Sequence, residues 1–297
     1  MYYSPILFSK IADLNLTQYH DCEINIEYLN SKDRIIIFST HSMGYIIRLL
    51  PFLNDVRKPF VLITAMEDTQ LPLEIDNDFM EKIKTNVYFK HWFSINKTIP
   101  NDCHISSIPY GLNYWTLTTN NYFGEEMQSF DMQNSVLENI IYHSEHFSKR
   151  IPKIYANYHL NFTDERHGGW RRKLLDIIPN QIIHYQPHEM PRSTYYTNMT
   201  EYMFVVSPFG HGFDCIRTFE ALSLGCIVIM QKCFLDIVYE DLPVYFVNNW
   251  GDINENLLTT ILNEFSKKTF NYSKLKMEYY IDLVNNVFER EKKIHCN

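Results

Sequence analysis

Short apolar runs rich in β-branched residues alternate along the chain with segments whose apolar residues recur at helical spacing. This alternation is typical of α/β folds with parallel sheets, because a helix usually connects one parallel strand to the next. Up to residue 132, the pattern predicts strands at 33–38 and 59–64, strand-and-loop units at 87–93 and 103–112, and helices at 42–53 and 79–84. From residue 133 onward it predicts strands at 153–160, 181–185, 201–208, 226–231 and 244–249, and helices at 133–147, 168–178, 214–225, 254–268 and 273–293.

The alternation is interrupted once, which predicts two doubly wound domains. It dissolves into Asn, Thr, Gly and aromatic residues between positions 113 and 130, and "SKRIPK" (148–153) combines charge with a proline that a helix interior excludes. We therefore expect an N-terminal domain at 1–150 and a C-terminal domain at 151–297, a division that allows the last helix to pack back on the N-terminal domain. Ligands of open parallel sheets bind beyond the carboxyl ends of the strands, so a cleft between two such domains suits an enzyme with two substrates.

The composition of the chain argues against nucleic acid and membranes as binding partners. The 297 residues are 45% hydrophobic and carry a net charge of -8, which argues against a surface that coats nucleic acid. The first residues, "MYYSPILFSKIADLN", lack the basic flank and apolar core of a secretory signal, and no run approaches the roughly 20 apolar residues of a membrane span. We expect no nucleic acid, no membrane span and a cytoplasmic location. The six cysteines form no C-x-x-C pair, which favours reduced thiols over a zinc site.

Residues 207–230, "SPFGHGFDCIRTFEALSLGCIVIM", hold the strongest chemical signal in the chain. A strand ends near the Ser-Pro pair, Gly210 and Gly212 allow a tight turn, and a helix begins near Asp214. The first turn of a helix presents unpaired N–H groups and partial positive charge, so a phosphate is favoured there, and Arg217 adds a cation. The alternative is that the glycines only make the turn.

Glu220 is an unusual residue for its surroundings, since its helical neighbours Phe219, Ala221 and Leu222 are all of the buried type. A carboxylate at such a position needs a hydrogen-bonding partner or solvent. Two adjacent hydroxyl groups of a ribose would supply one. The other interpretation is an exposed helix face on which Glu220 pairs with Arg217, three residues earlier. The spacing leaves both open.

The same segment, followed by "LDIVYEDLPVYFVNNW" (235–250), resembles the C-terminal signature of exostosin-like glycosyltransferases. "PFVLITAMEDTQLP" (59–72), "HWFSIN" (91–96) and "IPYGLNYWTL" (108–117) are similar to the N-terminal half of the small soluble members found in large DNA viruses and bacteria. The resemblance implies the GT-B fold, with two Rossmann-like doubly wound domains facing a central cleft, and transfer with inversion from a nucleotide-sugar donor. It also implies no cofactor and no metal, because helix N-termini and basic side chains stabilise the leaving diphosphate.

The family motif can be carried over onto individual positions. It implies that the donor-binding residues are Ser207, Gly210, His211, Gly212, Arg217, Thr218 and Glu220, the last on the ribose. His211 and Phe213 stand where the family often has Asn and Leu, and Phe219 where Trp is common. These departures affect the choice of donor sugar.

Further candidates follow predicted strands. Arg166 precedes a helix and is predicted to neutralise the leaving diphosphate, whereas "RRK" at 171–173 is better explained as a solvated helix face. An inverting transfer needs a general base, for which we rank Asp68 first, because an acidic residue recurs there in the family, followed by His41 and Glu67.

Aromatic residues of the first half suggest an acceptor site, because rings stack on the apolar faces of sugars. The candidates are Tyr110, Tyr114 and Trp115, near the pair His91 and Trp92. Core packing is the alternative for each of them.

The expected function is an inverting glycosyltransferase, a hexosyl- or pentosyltransferase that moves a sugar from a UDP-sugar, with UDP-xylose as one candidate, to a glycan hydroxyl. The resemblance points to the biosynthesis of a viral or bacterial glycan, in the former case in the cytoplasm of an infected host cell. Two alternatives stay open: a non-catalytic carbohydrate-binding protein that retains the GT-B fold, and a nucleotide-sugar epimerase.

Overall fold

A computed structural model describes residues 1–16, 24–40, 43–66, 68, 70–71, 74–98, 103–122, 124–160, 170–187 and 189–294. Within these residues the chain forms two five-stranded parallel sheets with connecting helices. The predicted α/β class with two Rossmann-like sheets is therefore confirmed.

The first sheet has its strands in chain order, β1-β2-β3-β4-β5, and every neighbouring pair is parallel. Its strands are β1 (Leu14–Asn15), β2 (Ile35–Thr40), β3 (Phe60–Ala65), β4 (Phe89–Ser94) and β5 (Ile105–Ser107). The accompanying helices are α1 (Ile26–Asn30), α2 (Met43–Ile46) and α3 (Asn77–Thr85). All six residues of β3 are buried, as the apolar run of a strand covered on both faces requires.

The second sheet has the order β10-β9-β8-β6-β7, again with parallel pairs throughout. Its strands are β6 (Ile151–Ala156), β7 (Ile183–Tyr185), β8 (Tyr202–Val206), β9 (Ile227–Gln231) and β10 (Val244–Val247). The helices in this part of the chain are α4 (Tyr114–Thr119), α5 (Phe130–His143), α6 (Trp170–Ile177), α7 (Arg192–Met199), α8 (Ile216–Ser223) and α9 (Glu255–Phe265), and α10 (Met277–Ile294) follows. Because β7 lies on one side of β6 and β8 on the other, the winding direction reverses between β6 and β8. Ligands of doubly wound sheets bind at such a switch point.

The chain divides into two compact units, and the division differs from the expected boundary at residue 150. One unit consists of Tyr3–Tyr110 and Met277–Asn297, and the other of Met1–Tyr2 and Gly111–Lys276. Residues 111–150 thus belong with the second sheet, and α10 belongs with the first. The charged segment 148–153 is mostly exposed, but Arg150 ties it to the second unit: this residue is 7% exposed, and its Nη2 donates to the carbonyl oxygen of Leu224 at 2.9 Å.

Most predicted elements coincide closely with observed ones, and the differences have local causes. The helix expected at 42–53 is short, because α2 passes into the 3-10 turn Ile47–Leu49 ahead of Pro51. The strand expected at 153–160 begins earlier, at Ile151, and its pairing with β8 shifts register around Pro152, which cannot donate a ladder hydrogen bond. Elements that the pattern does not predict are β1, α1, α4 and α7.

No helix among the described residues has the length and apolar character needed to cross a lipid bilayer.

Candidate functional site

Several of the predicted donor residues lie at the switch point of the second sheet. Asn157 and Tyr158 follow β6, and the segment from Ser207 to Phe213 follows β8 and leads into α8. The carboxyl ends of these two strands therefore bring together residues that are far apart in the sequence.

A side chain at Gly210, in the loop between β8 and α8, would displace the Arg171 guanidinium. The N–H of Gly210 donates to the carbonyl oxygen of Gly212 at 3.0 Å. A Cβ on Gly210 would lie 2.8 Å from Nη2 of Arg171 and 3.3 Å from Sγ of Cys215, the first of which is closer than side-chain carbons tolerate. Gly210 thus allows the Arg171 guanidinium to lie against the loop, where its Nε donates to the carbonyl oxygen of Phe209 at 3.0 Å.

Helix α8 begins without a side-chain cap. Its N-cap residue, Cys215, makes no side-chain hydrogen bond to the first turn. The preceding Asp214 is held elsewhere, because the hydroxyl group of Tyr239 donates to both of its carboxylate oxygens at 2.7 Å. One turn further, Oγ1 of Thr218 lies 2.9 Å from Oγ of Ser207, and both residues are buried. The N–H groups of an uncapped first turn favour an anion.

Arg217, in this first turn, is 8% exposed, and its Nε has no hydrogen-bond partner among the described residues. The centre of its guanidinium lies 5.6 Å from the centre of the Tyr158 ring. A buried guanidinium is normally paired, because an uncompensated charge is costly to desolvate. Within the described residues, Nε of Arg217 is therefore a buried donor that a negatively charged ligand could pair with.

Two more basic groups belong to this cluster, and burial lowers the pKa of each, with a smaller contribution from the charge of Arg217. The pKa of Arg171 is lowered by burial and, to a smaller extent, by Arg217, while Cys215 opposes the shift. The pKa of His159 is lowered by burial first and then by Arg171 and Arg217. The cluster therefore favours binding of an anion, which would relieve the repulsion.

Glu220 is 7% exposed, and two tyrosines of α7 hold its carboxylate. The hydroxyl group of Tyr196 donates to Oε1 at 3.0 Å, and that of Tyr195 donates to Oε2 at 3.1 Å. The sequence interpretation that Glu220 is exposed and pairs with Arg217 is thus wrong: the side chain is buried, and its partners are tyrosines.

The remaining donor-side predictions have different outcomes. Arg166 lies outside the described residues. The sequence places Arg171 on a solvated face, but the side chain is half-buried and contacts the donor loop, whereas Arg172 and Lys173 are exposed as expected. His211 is also exposed.

The candidate bases follow strands of the first sheet. His41 and Glu67 lie outside the described residues, whereas Asp68 is half-buried in the loop after β3. Met66, between the strand and Asp68, has a φ of 73°, a conformation that costs a methionine free energy. Backbone strain of this kind concentrates at functional sites, so the loop that contains Asp68 remains a candidate functional segment.

The acceptor candidates are divided between the two units. Tyr110 is half-buried at the end of one unit, and Tyr114 and Trp115 begin α4 in the other. Tyr114 is 2% exposed, and its hydroxyl group donates to Oδ1 of Asn134 at 3.2 Å, so its ring is a packing element. Trp115 is 42% exposed and can present its ring to a ligand.

The described part of the chain contains no group of three or more His, Cys, Asp or Glu side chains suited to a metal ion. Asp76 and Asp78 have Asp-x-Asp spacing, but both carboxylates are engaged in helix α3. Asp76 caps the helix by accepting from the N–H of Phe79 at 2.9 Å, and Asp78 pairs with Lys82 at 2.6 Å.

Sequence reasoning misses five residues of the site: Tyr158, His159, Arg171, Tyr195 and Tyr196. For Arg171 a signal exists, since a basic residue in the first turn of a helix at a strand end is well placed for an anion. No periodicity in "PRSTYYTNMT" (191–200) marks α7 as a helix, and nothing in the sequence links the two tyrosines to Glu220.

No protein-family model matches the chain. No curated protein matches it either. Among solved structures, it is similar to an alpha-glucosyltransferase in complex with UDP, at 11% identity and a TM-score of 0.39, covering 89% of this chain and 82% of that one. It is also similar to the pneumococcal O-GlcNAc transferase GtfA in complex with UDP and GlcNAc, at 12% identity and a TM-score of 0.34, covering 91% and 58%. A third is an alpha,alpha-trehalose-phosphate synthase from Burkholderia xenovorans in complex with glucose-6-phosphate, at 8% identity and a TM-score of 0.32, covering 91% and 76%. All three TM-scores are below 0.5, and we take no function from these proteins.

Proposed function

We propose that the protein is a nucleotide-sugar glycosyltransferase of the GT-B type, which moves a sugar from the donor to a hydroxyl group of a glycan. The observation that carries the proposal is Arg217: its guanidinium is 8% exposed, has an unpartnered Nε among the described residues, and lies in the uncapped first turn of α8. This combination fits the diphosphate of a nucleotide sugar, because a diphosphate supplies the anion that the buried cation and the helix N-terminus both favour.

Each group of the site has a role in this reaction. The diphosphate binds to Arg217 and the α8 N–H groups, with Arg171 beside it and Arg166 as a further candidate cation. The ribose hydroxyl groups donate to Glu220. Ser207, Thr218 and the loop of Gly210, His211 and Gly212 border the donor sugar. In the reaction the acceptor oxygen attacks the anomeric carbon, the bond from that carbon to the phosphate oxygen breaks, and the diphosphate leaves with the electron pair.

The proposal also covers the catalytic base, the acceptor site and the donor sugar. Inversion requires a base that removes the proton of the acceptor hydroxyl group, and Asp68 is the first candidate, with His41 and Glu67 next. Of the three acceptor candidates, Tyr110 and Trp115 remain, because the ring of Tyr114 is buried. The motif resemblance to exostosin-like enzymes supports a UDP-sugar, with UDP-xylose among the donors to test, and a cytoplasmic role in building a viral or bacterial glycan.

We propose further that the reaction needs no metal ion. The proposal is supported by the guanidinium groups of Arg171 and Arg217 and the N-terminus of α8, which together would give the leaving group the positive charge that a metal would otherwise supply.

The experiment is an assay of nucleotide release. The protein is incubated with UDP- and GDP-linked sugars, with and without glycan acceptors, and free UDP or GDP is measured by chromatography in buffer that contains EDTA. A transferase releases nucleotide from one donor faster when an acceptor is present, and it does so in EDTA. The Arg217→Met variant should be slower by at least a factor of about 100, since the charge at the leaving group is lost.

The alternatives give different results. An epimerase converts the sugar of the donor without any acceptor and without net nucleotide release. A carbohydrate-binding protein binds glycans and leaves every donor intact. Either result would refute the transferase proposal, and activity that disappears in EDTA would refute the metal-independent part alone.

A further inference from the structure

The Glu220 carboxylate is held more firmly than a glutamate on a helix ordinarily is. A glutamate side chain has three rotatable bonds, and it loses that freedom only when partners fix it. Both of its oxygens accept a hydrogen bond, one from Tyr196 and the other from Tyr195, at 3.0 and 3.1 Å. Two donors on two different oxygens fix the rotation and the position of the carboxylate together.

The two tyrosines are built to remain donors. Tyr195 and Tyr196 are both buried. Burial raises the pKa of each hydroxyl group well above its ordinary value, and the charge of Glu220 raises it further. Both hydroxyl groups therefore stay protonated over the physiological pH range, and neither can compete with Glu220 as a negative charge.

The N-terminus of helix α7, which carries the two tyrosines, is capped by a residue from another part of the chain. Its N-cap is Pro191, which makes no side-chain cap. The Glu125 side chain caps the helix instead, because its Oε1 accepts from the N–H of Ser193 at 2.8 Å and also from the Ser193 hydroxyl group. Glu125 thus fixes the start of α7, and α7 in turn positions the two tyrosine hydroxyl groups that bind the Glu220 carboxylate.

A carboxylate offers about four acceptor positions, and two of those on Glu220 are used by the tyrosines. One remaining acceptor position on each oxygen suits a ligand with two adjacent hydroxyl groups. We propose that Tyr195 and Tyr196 are positioning residues, which orient the Glu220 carboxylate so that it accepts from both the 2′- and 3′-hydroxyl groups of the donor ribose. This inference rests on the proposed function, because it takes the nucleotide as the ligand.

The test compares two ligands that differ only in these hydroxyl groups. Dissociation constants are measured by calorimetry for UDP and 2′,3′-dideoxy-UDP, or for the corresponding GDP pair if GDP binds more tightly. Their ratio is the ribose discrimination factor. In the wild type the factor should be roughly tenfold or more, because hydrogen bonds to a charged group are lost with the dideoxy ligand. Glu220→Gln should reduce it.

The informative variants are Tyr195→Phe, Tyr196→Phe and the double variant. Each keeps the ring and removes only the donor, so the factor should fall by about threefold or more while the affinity for the dideoxy ligand changes little. Tyr239→Phe is the matched control, since its buried hydroxyl group donates to another carboxylate, that of Asp214. It should leave the discrimination factor within about twofold of the wild type. If the double variant fails to fold, the single variants decide.

Failure of this inference and failure of the proposed function give different results. If the tyrosine variants weaken both ligands equally, the tyrosines only pack, and the positioning role is refuted although the nucleotide still binds. If the wild type does not discriminate and Glu220→Gln has no effect, the ribose role of Glu220 is refuted together with that of the tyrosines. If the wild type binds neither UDP nor GDP, the nucleotide-sugar proposal itself is contradicted.

Discussion

At the scale of single residues, the site contains two buried ionisable side chains that differ in their hydrogen bonding. Arg217 has an unpartnered Nε among the described residues, whereas Glu220 accepts from two tyrosines. A buried donor without an acceptor lowers stability, and such a group is retained where a ligand supplies the acceptor. The two residues should therefore respond differently to replacement.

Replacing Arg217 by methionine should leave the free energy of unfolding unchanged or raise it by roughly 1 kcal/mol, because a desolvated charge is removed and a thioether can still contact the Tyr158 ring. Glu220→Ala should lower it by about 2 kcal/mol or more, since two buried hydroxyl groups lose their acceptor. Urea unfolding of both variants checks this. A large loss of stability in Arg217→Met would mean that the guanidinium is structural.

His159 reports the charge of the cluster. Its pKa is lowered from the ordinary value of 6.5 by burial, Arg171 and Arg217. Between that lowered pKa and 6.5 the unfolded chain binds a proton more readily than the folded one, so this group opposes folding as the pH falls through 6.5. The pKa of His159 should rise when UDP binds and also in Arg217→Met. A histidine titration by NMR, with His159→Gln to assign the signal, tests the shift; a wild-type pKa of 6.5 or above would contradict it.

At the scale of elements, the capping of α7 by Glu125 can be tested by comparing the stability effects of alanine substitutions at Glu125 and at the adjacent Glu126. Glu125→Ala removes the acceptor of two Ser193 hydrogen bonds and should lower the free energy of unfolding by about 1–2 kcal/mol. Glu126 is exposed, so Glu126→Ala is the control and should change stability by less than about 0.5 kcal/mol. Equal effects of the two substitutions in urea unfolding would mean that Glu125 does not cap α7.

The strands of both sheets are predictable because apolar runs such as "DRIIIF" and "CIVIMQ" are short and rich in β-branched residues, which favours a buried strand over a helix. Helix α8 is predictable from its apolar spacing and from Gly225, which ends the helix with a φ of 76°. Helices α4 and α7 are not, since their residues combine tyrosine, threonine and asparagine without a clear apolar stripe. Their positions depend on tertiary contacts such as that of Tyr196 with Glu220.

At the scale of the whole molecule, the number of sheets follows from the sequence, but the assignment of segments to units does not. Residues 111–150 carry no signal of their own unit, and Arg150 has the sequence surroundings of a linker although its hydrogen bond to Leu224 places it inside the second unit. Local patterns report which face of an element is buried. They do not report which other element buries it.

The phosphate turn is predictable in outline, because glycine spacing and Arg217 are local features. The electrostatic cluster is not, since Arg171 and His159 approach Arg217 only after β6 and β8 become neighbours in the sheet. The switch point itself depends on the strand order, which the chain order of the predicted strands does not reveal.

The most direct test of the proposed nucleotide-sugar site is a comparison of nucleotide binding by the wild type and Arg217→Met. UDP and GDP are titrated calorimetrically into both proteins in EDTA, after circular dichroism has shown that both are folded. We predict that the wild type binds one of the two nucleotides and that Arg217→Met binds it at least about tenfold more weakly, as expected for the loss of a charge-assisted contact. Equal affinity of the two proteins would contradict the proposed role of Arg217, and no binding of either nucleotide by the wild type would contradict the proposed function.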